Sequence, residues 1–414
     1  MKGVFVVIDG VSDEMHNTLD GKTPLEHART PHLDALAGKS FIHKCVVVGE
    51  GIAPESSNGI LSLLGYESSS VARGPLEALG AGVRFSRGDL VLRTNFATID
   101  EISSMELLDR RAGRTLSEHE ARTLANAINK QVKLPYKFEF VSTLHHRGVL
   151  VFRGGFSDNI SNVDPEYGVG GISQNMKVHF SHSLDEDEES KLAADLVNRF
   201  VRRSHEILDV HPLNKIRAKK GLYSANFILC RDAGNEVPRL AKLKGSWRAL
   251  SYMPLETGIA KAAKMDVSTF AYPPLKGIDV YSNLYAGLGK AISNAVEMIK
   301  KYHKDYDYFF VHFKETDVPG HDNKPIDKVK MIEMIDSGFF GFVNKILANS
   351  EFRVVVTADH TTSCRQKMHT DKPVPLLFYA PARIQSHKLR FDESCCENSK
   401  ALLGRKVLEK TLLS

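Results

Sequence analysis

The chain has 414 residues, enough for two or three domains of ordinary size. Hydrophobic residues make up 42% and charged residues 25%, the balance of a folded globular protein, which excludes disordered, collagen-like and disulfide-dense chains. Lys and Arg number 55 against 50 Asp and Glu, and the resulting +5 suits small anionic substrates without calling for nucleic acid. No run approaches the roughly 18 apolar residues of a membrane span, and the run Gly3 to Ile8 is cut off by Asp9. Neither a membrane nor a secretory leader is therefore expected, and the cytoplasm is the simplest address. Cys45, Cys230, Cys364, Cys395 and Cys396 form no CxxC pair, so any metal needs other ligands.

In chain order, Val4 to Ile8 reads as a buried strand. Thr30-Pro31 then opens a helix, with Thr30 as N-cap and Leu33, Leu36 and Ala37 on one face. A stretch of different character, residues 83–239, brings its own strands (Leu90 to Thr98, Gly148 to Phe152, Asn226 to Cys230) and helices (Ser117 to Gln131, Asp187 to Val201). Gly154-Gly155 and Gly168 to Gly171 mark turns within it, and the acidic run Asp185 to Glu189 is a solvated helix start. Beyond it come helices from Ser282 to Lys301 and from Ile326 to Leu347, and strands Tyr306 to Phe313, Phe352 to Val356 and Val374 to Tyr379. Strands alternating with helices predict an α/β fold, a doubly wound, mostly parallel sheet that places ligands at the carboxyl ends of its strands. Residues 83–239 are expected to form a smaller α/β or α+β domain inserted between 1–82 and 240–414.

Three apolar runs end alike, in Val-Val-Ile-Asp9, Phe-Lys-Glu-Thr-Asp317 and Val-Thr-Ala-Asp359-His360. One such Asp is ordinary helix capping, but three at strand ends, joined by His321 and His369, gather carboxylates and imidazoles suited to Mn, Zn, Mg or Co ions. Pro319-Gly320 predicts a tight turn that brings His321 back toward Asp317, so that one loop offers two ligands. Ser56 and Ser57 fall in a Ser-Ser-Asn-Gly segment that by itself reads as a turn.

The segments Thr30-Pro-His-Leu-Asp-Ala-Leu-Ala37, Asp317-Val-Pro-Gly-His321, Thr-Ala-Asp359-His360 and His369-Thr-Asp-Lys-Pro-Val-Pro resemble the alkaline phosphatase superfamily. Gly21-Lys-Thr-Pro-Leu-Glu-His-Ala, Leu64-Gly-Tyr, Asn95-Phe-Ala-Thr, Asp109-Arg-Arg-Ala-Gly-Arg114, Ser204-His-Glu-Ile-Leu and His211-Pro-Leu-Asn214 narrow the likeness to archaeal-type cofactor-independent phosphoglycerate mutases. The resemblance implies an alkaline-phosphatase-like core with two divalent metal ions, an inserted substrate-holding domain, and no need of 2,3-bisphosphoglycerate. It places Asp317, His321 and His369 on one ion, and Asp9, Asp359, His360 and the nucleophile Ser56 on the other. The implied activity is an isomerase of glycolysis and gluconeogenesis that interconverts 3-phosphoglycerate and 2-phosphoglycerate through a phosphoserine.

A substrate carrying phosphate and carboxylate calls for guanidinium forks, for which Arg110, Arg111, Arg114, His146, Arg147 and Arg231 are the candidates. The chain departs from the family pattern at Ser57 and Ile60, where an acid and a histidine are expected, and at Thr257, where a lysine is expected; Lys261 or Lys314 could replace that lysine by reach. Two alternatives stand beside the mutase: a metal-dependent phosphatase or other phosphoester hydrolase using the same core, and, from these departures, a catalytically impaired paralogue that binds a phosphorylated metabolite.

Overall fold

The computed structural model describes residues 1–68, 71–165, 177–275, 277–348, 351–386 and 388–414; the expected turn at Gly168 to Gly171 lies outside them. The chain first lays down β1 (Gly3–Ile8) and β2 (Phe41–Val46), then β3 (Leu90–Ile99), β4 (Leu107–Asp109), β5 (Phe138–Ser142), β6 (Arg147–Phe152) and β7 (Phe227–Gly234). It continues with β8 (Trp247–Leu250), β9 (Asp266–Ser268), β10 (Tyr308–Phe313), β11 (Arg353–Thr357), β12 (Thr361–Ser363), β13 (Met368–Thr370), β14 (Val374–Tyr379) and β15 (Ala401–Leu403).

The large sheet has the order β15-β2-β14-β11-β1-β10-β8-β9. Its centre is parallel: β1 pairs with β10 (Ile8 opposite Phe313) and with β11 (Val7 opposite Thr357). Every residue of β1 and β10 is buried, the pattern of strands covered on both faces. The strand β14 runs antiparallel to both its neighbours, so the sheet is mostly rather than wholly parallel.

The second sheet is antiparallel and built only from β3 to β7, with β3 pairing β4, β6 and β7. One face packs on helices Glu118–Gln131 and Glu188–Asp209. Ser117 caps the first through a reciprocal pair with Glu120. Phe200 of the second sits 5.4, 5.8 and 6.1 Å from the rings of the half-buried Phe138 and the buried Phe140 and Phe152, aromatic pairs of the kind that add about 0.5–1.5 kcal/mol to their area burial. The other face, through Val91, Val149 and Val151, meets Ala78 of helix Arg73–Ala81. That helix also lies against helix Pro254–Ala262, where a Cβ on Gly80 or Gly258 would collide with the partner backbone. Glycine is what lets these two axes approach so closely.

Two local expectations are corrected. Thr30 occupies the N-cap position of helix Pro31–Ala37 but makes no side-chain cap bond, its hydroxyl donating instead to Asp34 at 3.2 Å. Asp336 takes over, accepting the N–H groups of Leu33 and His32 at 2.7 and 3.3 Å. Asp336 also begins a π-helical stretch, Asp336–Phe340, which interrupts the helix expected from Ile326 to Leu347.

Candidate functional site

The carboxyl ends of β11, β1 and β10 lie side by side and deliver Asp359-His360, Asp9 and Lys314 to one point. The expected tight turn after Thr316 is instead a helical turn, Asp317–His321. Pro319 fits its first turn because a proline there forfeits no helical hydrogen bond. The i, i+4 spacing then puts both side chains on one face, with His321 Nε2 3.5 Å from Asp317 Oδ1. The hairpin β12–β13 stacks the His369 ring on that of His360, with centroids 3.7 Å apart.

Ser56 is the first residue of helix Ser56–Leu63, whose end is pressed against the end of β11: a Cβ on Gly59 would strike the carbonyl oxygen of Asp359. Ser56 Oγ lies 3.1 Å from His360 Nε2 and accepts from Lys314 Nζ at 2.9 Å. Ser57 is buried with its hydroxyl donating to Asn58 at 3.3 Å, which leaves Ser56 as the serine of this pair that faces the acids.

Two groups of ligand-type atoms converge within 4.8 Å of one another: Asp9, Asp359 and His360 in one, Asp317, His360 and His369 in the other. The tight part of the second group thus contains His360 rather than the expected His321, which stands beside Asp317 at its edge. A third group, Asp9, Glu256 and His312, has no counterpart in the sequence reading of metal ligands.

The imidazoles are held in one orientation. The Thr362 hydroxyl donates to the Asp317 carboxylate at 2.9 Å, so its 2.9 Å contact with His360 Nδ1 has the ring N–H as donor, and the His360 Nε2 lone pair faces the centre. His369 Nδ1 donates to the Pro54 carbonyl at 2.8 Å and His321 Nδ1 to the Lys367 carbonyl at 3.0 Å, which turns both Nε2 atoms toward Asp317. Such outer bonds fix the tautomer that binds a metal. Asp9 Oδ1, Asp359 Oδ2 and His369 Nε2 are buried without a hydrogen-bond partner, the condition of atoms arranged for a cation. The residues present therefore fit divalent ions.

Electrostatics agree. Burial works against the charged form of Asp9, but Lys314, His312 and His360 hold its carboxyl well below the usual range. Asp317 is likewise held down against burial by His321, His369 and Lys314. Burial would lower His369 and His312, yet Asp317 raises the first to about 9, and Asp359 and Asp9 raise the second to about 10. The centre attracts positive charge, and Lys314 already supplies one through its ion pair with Asp9. Of the two lysines considered, Lys314 reaches Ser56, whereas Lys261 donates to the carbonyls of Leu79 and Gly80. Thr257 is hydrogen bonded to Ser251 at 3.0 Å, and Ile60 is part of the core.

These groups open onto a cavity of about 610 Å³ between the two sheets. Arg110, Arg111, Arg114, His146, Arg147 and Arg231 all line it. Arg110 and Arg231 share the buried Asp164, at 2.6 and 3.5 Å, and Arg147 directs Nη1 at the Met253 sulfur, 3.9 Å away. Arg114 is turned to Asp322, which accepts from it at 2.6 and 2.8 Å. His146 is kept neutral by burial and by Arg147 and Arg111.

Sequence reasoning missed Arg73, Arg93 and Asn95 on the same wall. Arg93 lies inside the buried strand β3, 3.0 Å from Glu77, with Nη1 unpartnered. Burial, with Arg73, Arg231 and Arg147 nearby, pulls its guanidinium down to about 9 despite Glu77. An arginine directly after the apolar run Leu90-Val-Leu92, inside a stretch read as a buried strand, was the signal available in the sequence.

A mostly parallel sheet with a serine, carboxylates and imidazoles at the ends of three adjacent strands, and a second sheet facing them, is the alkaline-phosphatase-like architecture. The family model described as 2,3-bisphosphoglycerate-independent phosphoglycerate mutase matches residues 37–214. Curated relatives with that name are 36% identical to this chain in Thermococcus kodakarensis (95% of this chain, 92% of the relative) and in Aeropyrum pernix (100% and 99%). Among solved structures, a Pyrococcus horikoshii protein superposes with a TM-score of 0.74 at 26% identity (99% of this chain, 96% of that one). The cofactor-independent phosphoglycerate mutase of Thermoplasma acidophilum does so with 0.58 at 25% (100% and 99%). The chain belongs to the 2,3-bisphosphoglycerate-independent phosphoglycerate mutase family, a family of isomerases.

Among the described residues no helix is long and apolar enough to cross a membrane.

Proposed function

We propose that the protein interconverts 3-phosphoglycerate and 2-phosphoglycerate, the step shared by glycolysis and gluconeogenesis, through a phosphoserine at Ser56 and with two divalent metal ions. The observation that carries this reading is the position of Ser56 Oγ, within hydrogen-bond distance of both Lys314 Nζ and His360 Nε2 at the edge of a cavity whose opposite wall is basic. Asp9, Asp359, His360 and Ser56 would hold one ion, and Asp317, His321 and His369, with His360 close by, the other. Bound ions would favour the serine alkoxide and neutralise charge on the transferring phosphoryl group.

The chain's own groups do the rest. Lys314 donates to Ser56 Oγ and stabilises negative charge there, and the helix that begins at Ser56 points its unpaired N–H groups the same way. Arg147, Arg231, Arg93 and His146 receive the glycerate carboxylate and hydroxyls, so that glycerate stays while its two hydroxyl groups exchange places before Ser56. The second hydroxyl takes the phosphoryl group back, the P–O bond to Ser56 breaks, and no free phosphate or added 2,3-bisphosphoglycerate is needed. The insert keeps water from the phosphoserine.

A coupled assay of interconversion on metal-stripped and Mn²⁺-restored protein tests the reading. Activity that returns with metal, with phosphate conserved, is expected. Release of phosphate without isomer would make the protein a hydrolase, and binding without turnover over a range of metals would make it the impaired paralogue.

A further inference from the structure

Away from the glycine-tight helix contact, Arg114 of the insert meets Asp322 of the large domain in a polar cluster beside the cavity. On the insert side, Ala112, Gly113 and Arg114 all have positive φ (45°, 67° and 55°), and two of the three carry a Cβ that disfavours this region. The turn is braced from both ends. Asp109 Oδ1 accepts the N–H groups of Arg111 and Gly113, each at 2.7 Å. The fully buried Arg217 donates to the Thr115 carbonyl and hydroxyl and to the Ala112 carbonyl at 2.9–3.4 Å. This bracing aims Arg114 across the gap at Asp322.

On the opposite side Asp322 directly follows His321 and closes the helical turn that carries Asp317 and His321. It also accepts from Tyr281 Oη at 2.9 Å, and the Tyr281 ring is covered by Lys324 Nζ, 3.7 Å from its centroid. Backbone strain held by a dedicated network marks a place where geometry matters to function. Here that geometry spends a cavity-lining arginine on a carboxylate of the facing domain.

We propose that Asp322 and Tyr281 are positioning residues that hold the insert shut through Arg114, and that this latch sets how much phosphoryl group returns to glycerate rather than passing to water. The inference rests on the phosphoserine reading above. A phosphoserine in a site that opens too soon loses its phosphoryl group when water attacks phosphorus and the bond to Ser56 Oγ breaks; in a shut site the glycerate hydroxyl is the nucleophile present. Because the latch grips the loop that carries Asp317 and His321, closure and the acidic centre are mechanically joined.

The test is a charge swap on full-length, Mn²⁺-loaded protein: Arg114→Asp, Asp322→Arg, the double variant, and the milder Tyr281→Phe. The ratio of phosphate released to isomer formed, KM against kcat, bound Mn²⁺ and radius of gyration by solution scattering are measured. Each charge reversal is expected to raise the ratio about five- to tenfold, with a higher KM and a larger radius, as about 1 kcal/mol of closed-state preference is lost. In the double variant the ratio and the radius, though not KM, are expected to return within about twofold of wild type, and Tyr281→Phe is expected to raise the ratio about twofold. A double variant no better than Arg114→Asp alone, or variants with wild-type ratio and radius, would overturn the latch. Should Tyr281→Phe fold and load Mn²⁺ normally yet leave ratio, KM and radius unmoved, that too counts against it. If wild type forms no isomer, the mutase reading fails by itself, while the radii of the single and double variants still decide whether Arg114 and Asp322 hold the domains together.

Discussion

The cavity has two walls of opposite incompleteness. On the large-sheet side the buried atoms without a hydrogen-bond partner include the carboxylate oxygens Asp9 Oδ1 and Asp359 Oδ2 and the imidazole nitrogens His312 Nε2 and His369 Nε2. On the opposite wall Arg93 Nη1 and His146 Nδ1 have no hydrogen-bond partner, and Arg73 and Arg231 stand beside them with their Nε atoms 3.6 and 3.7 Å from Asp232. One wall calls for cations, the other for anions, and neither can satisfy the other across a cavity of about 610 Å³. In the proposed function, a small molecule with a phosphate at one end and a carboxylate at the other, together with divalent ions, would complete both. The lesson is that leftover bonding capacity describes the missing ligand.

The largest break comes at the nucleophile. Ser56→Ala is expected to lower both isomerisation and phosphate release by at least about 10³-fold, whereas Ser57→Ala, whose hydroxyl faces Asn58, keeps activity within about tenfold of wild type. Progress curves for the two variants check this, and activity that survives in Ser56→Ala but not in Ser57→Ala would move the nucleophile by one residue. Next, the two walls should fail differently. Lys314→Met is expected to cut kcat about 10²-fold through lost stabilisation at Ser56, while Arg93→Met acts mainly on KM, by about tenfold, because Arg93 belongs to the binding wall. Steady-state kinetics separate these, and equal losses of kcat in both would dissolve the distinction.

The smallest effect lies outside both walls. Burial pushes the Glu393 carboxyl up to about 7; it accepts from Asp13 N–H at 3.0 Å and Thr23 Oγ1 at 2.6 Å. A carboxyl raised above its unfolded value of about 4.5 contributes stability that is present below pH 4.5 and lost as pH rises through 7. Glu393→Gln should therefore flatten the fall in Tm between pH 5 and 8 without changing how the walls respond to substitution. Thermal melts across that range decide it, and an unchanged slope would assign the pH dependence elsewhere.

The acidic wall was largely legible because its residue types are wrong for their surroundings: Asp9, Asp317 and Asp359 follow apolar strands, where burial requires a partner. The strands themselves were legible for the same reason, as unbroken apolar runs. His312 and Lys314 were harder, since within Phe-Val-His-Phe-Lys they read as interruptions of a strand, and only its register beside β1 shows that they meet Asp9. The basic wall was half legible. Arg147 and Arg231 flank the apolar runs Gly148 to Phe152 and Asn226 to Cys230, but Arg93 sits inside one, and its acidic partner Glu77 comes from a different element. That Arg114 meets Asp322 depends on how the two sheets and their loops face each other, and no local pattern encodes it. The π-helical break at Asp336 is of the same kind, arising beside a carboxylate that caps another helix.

The account stands most directly on Ser56 carrying the phosphoryl group. Metal-loaded protein mixed with 3-phosphoglycerate, quenched in acid and digested, should yield the peptide spanning Ser56 with phosphate on that residue, in amounts that vanish when the metal is stripped. Isomer formed at full rate with no phosphate ever found on Ser56, or with it on another residue, would contradict the account.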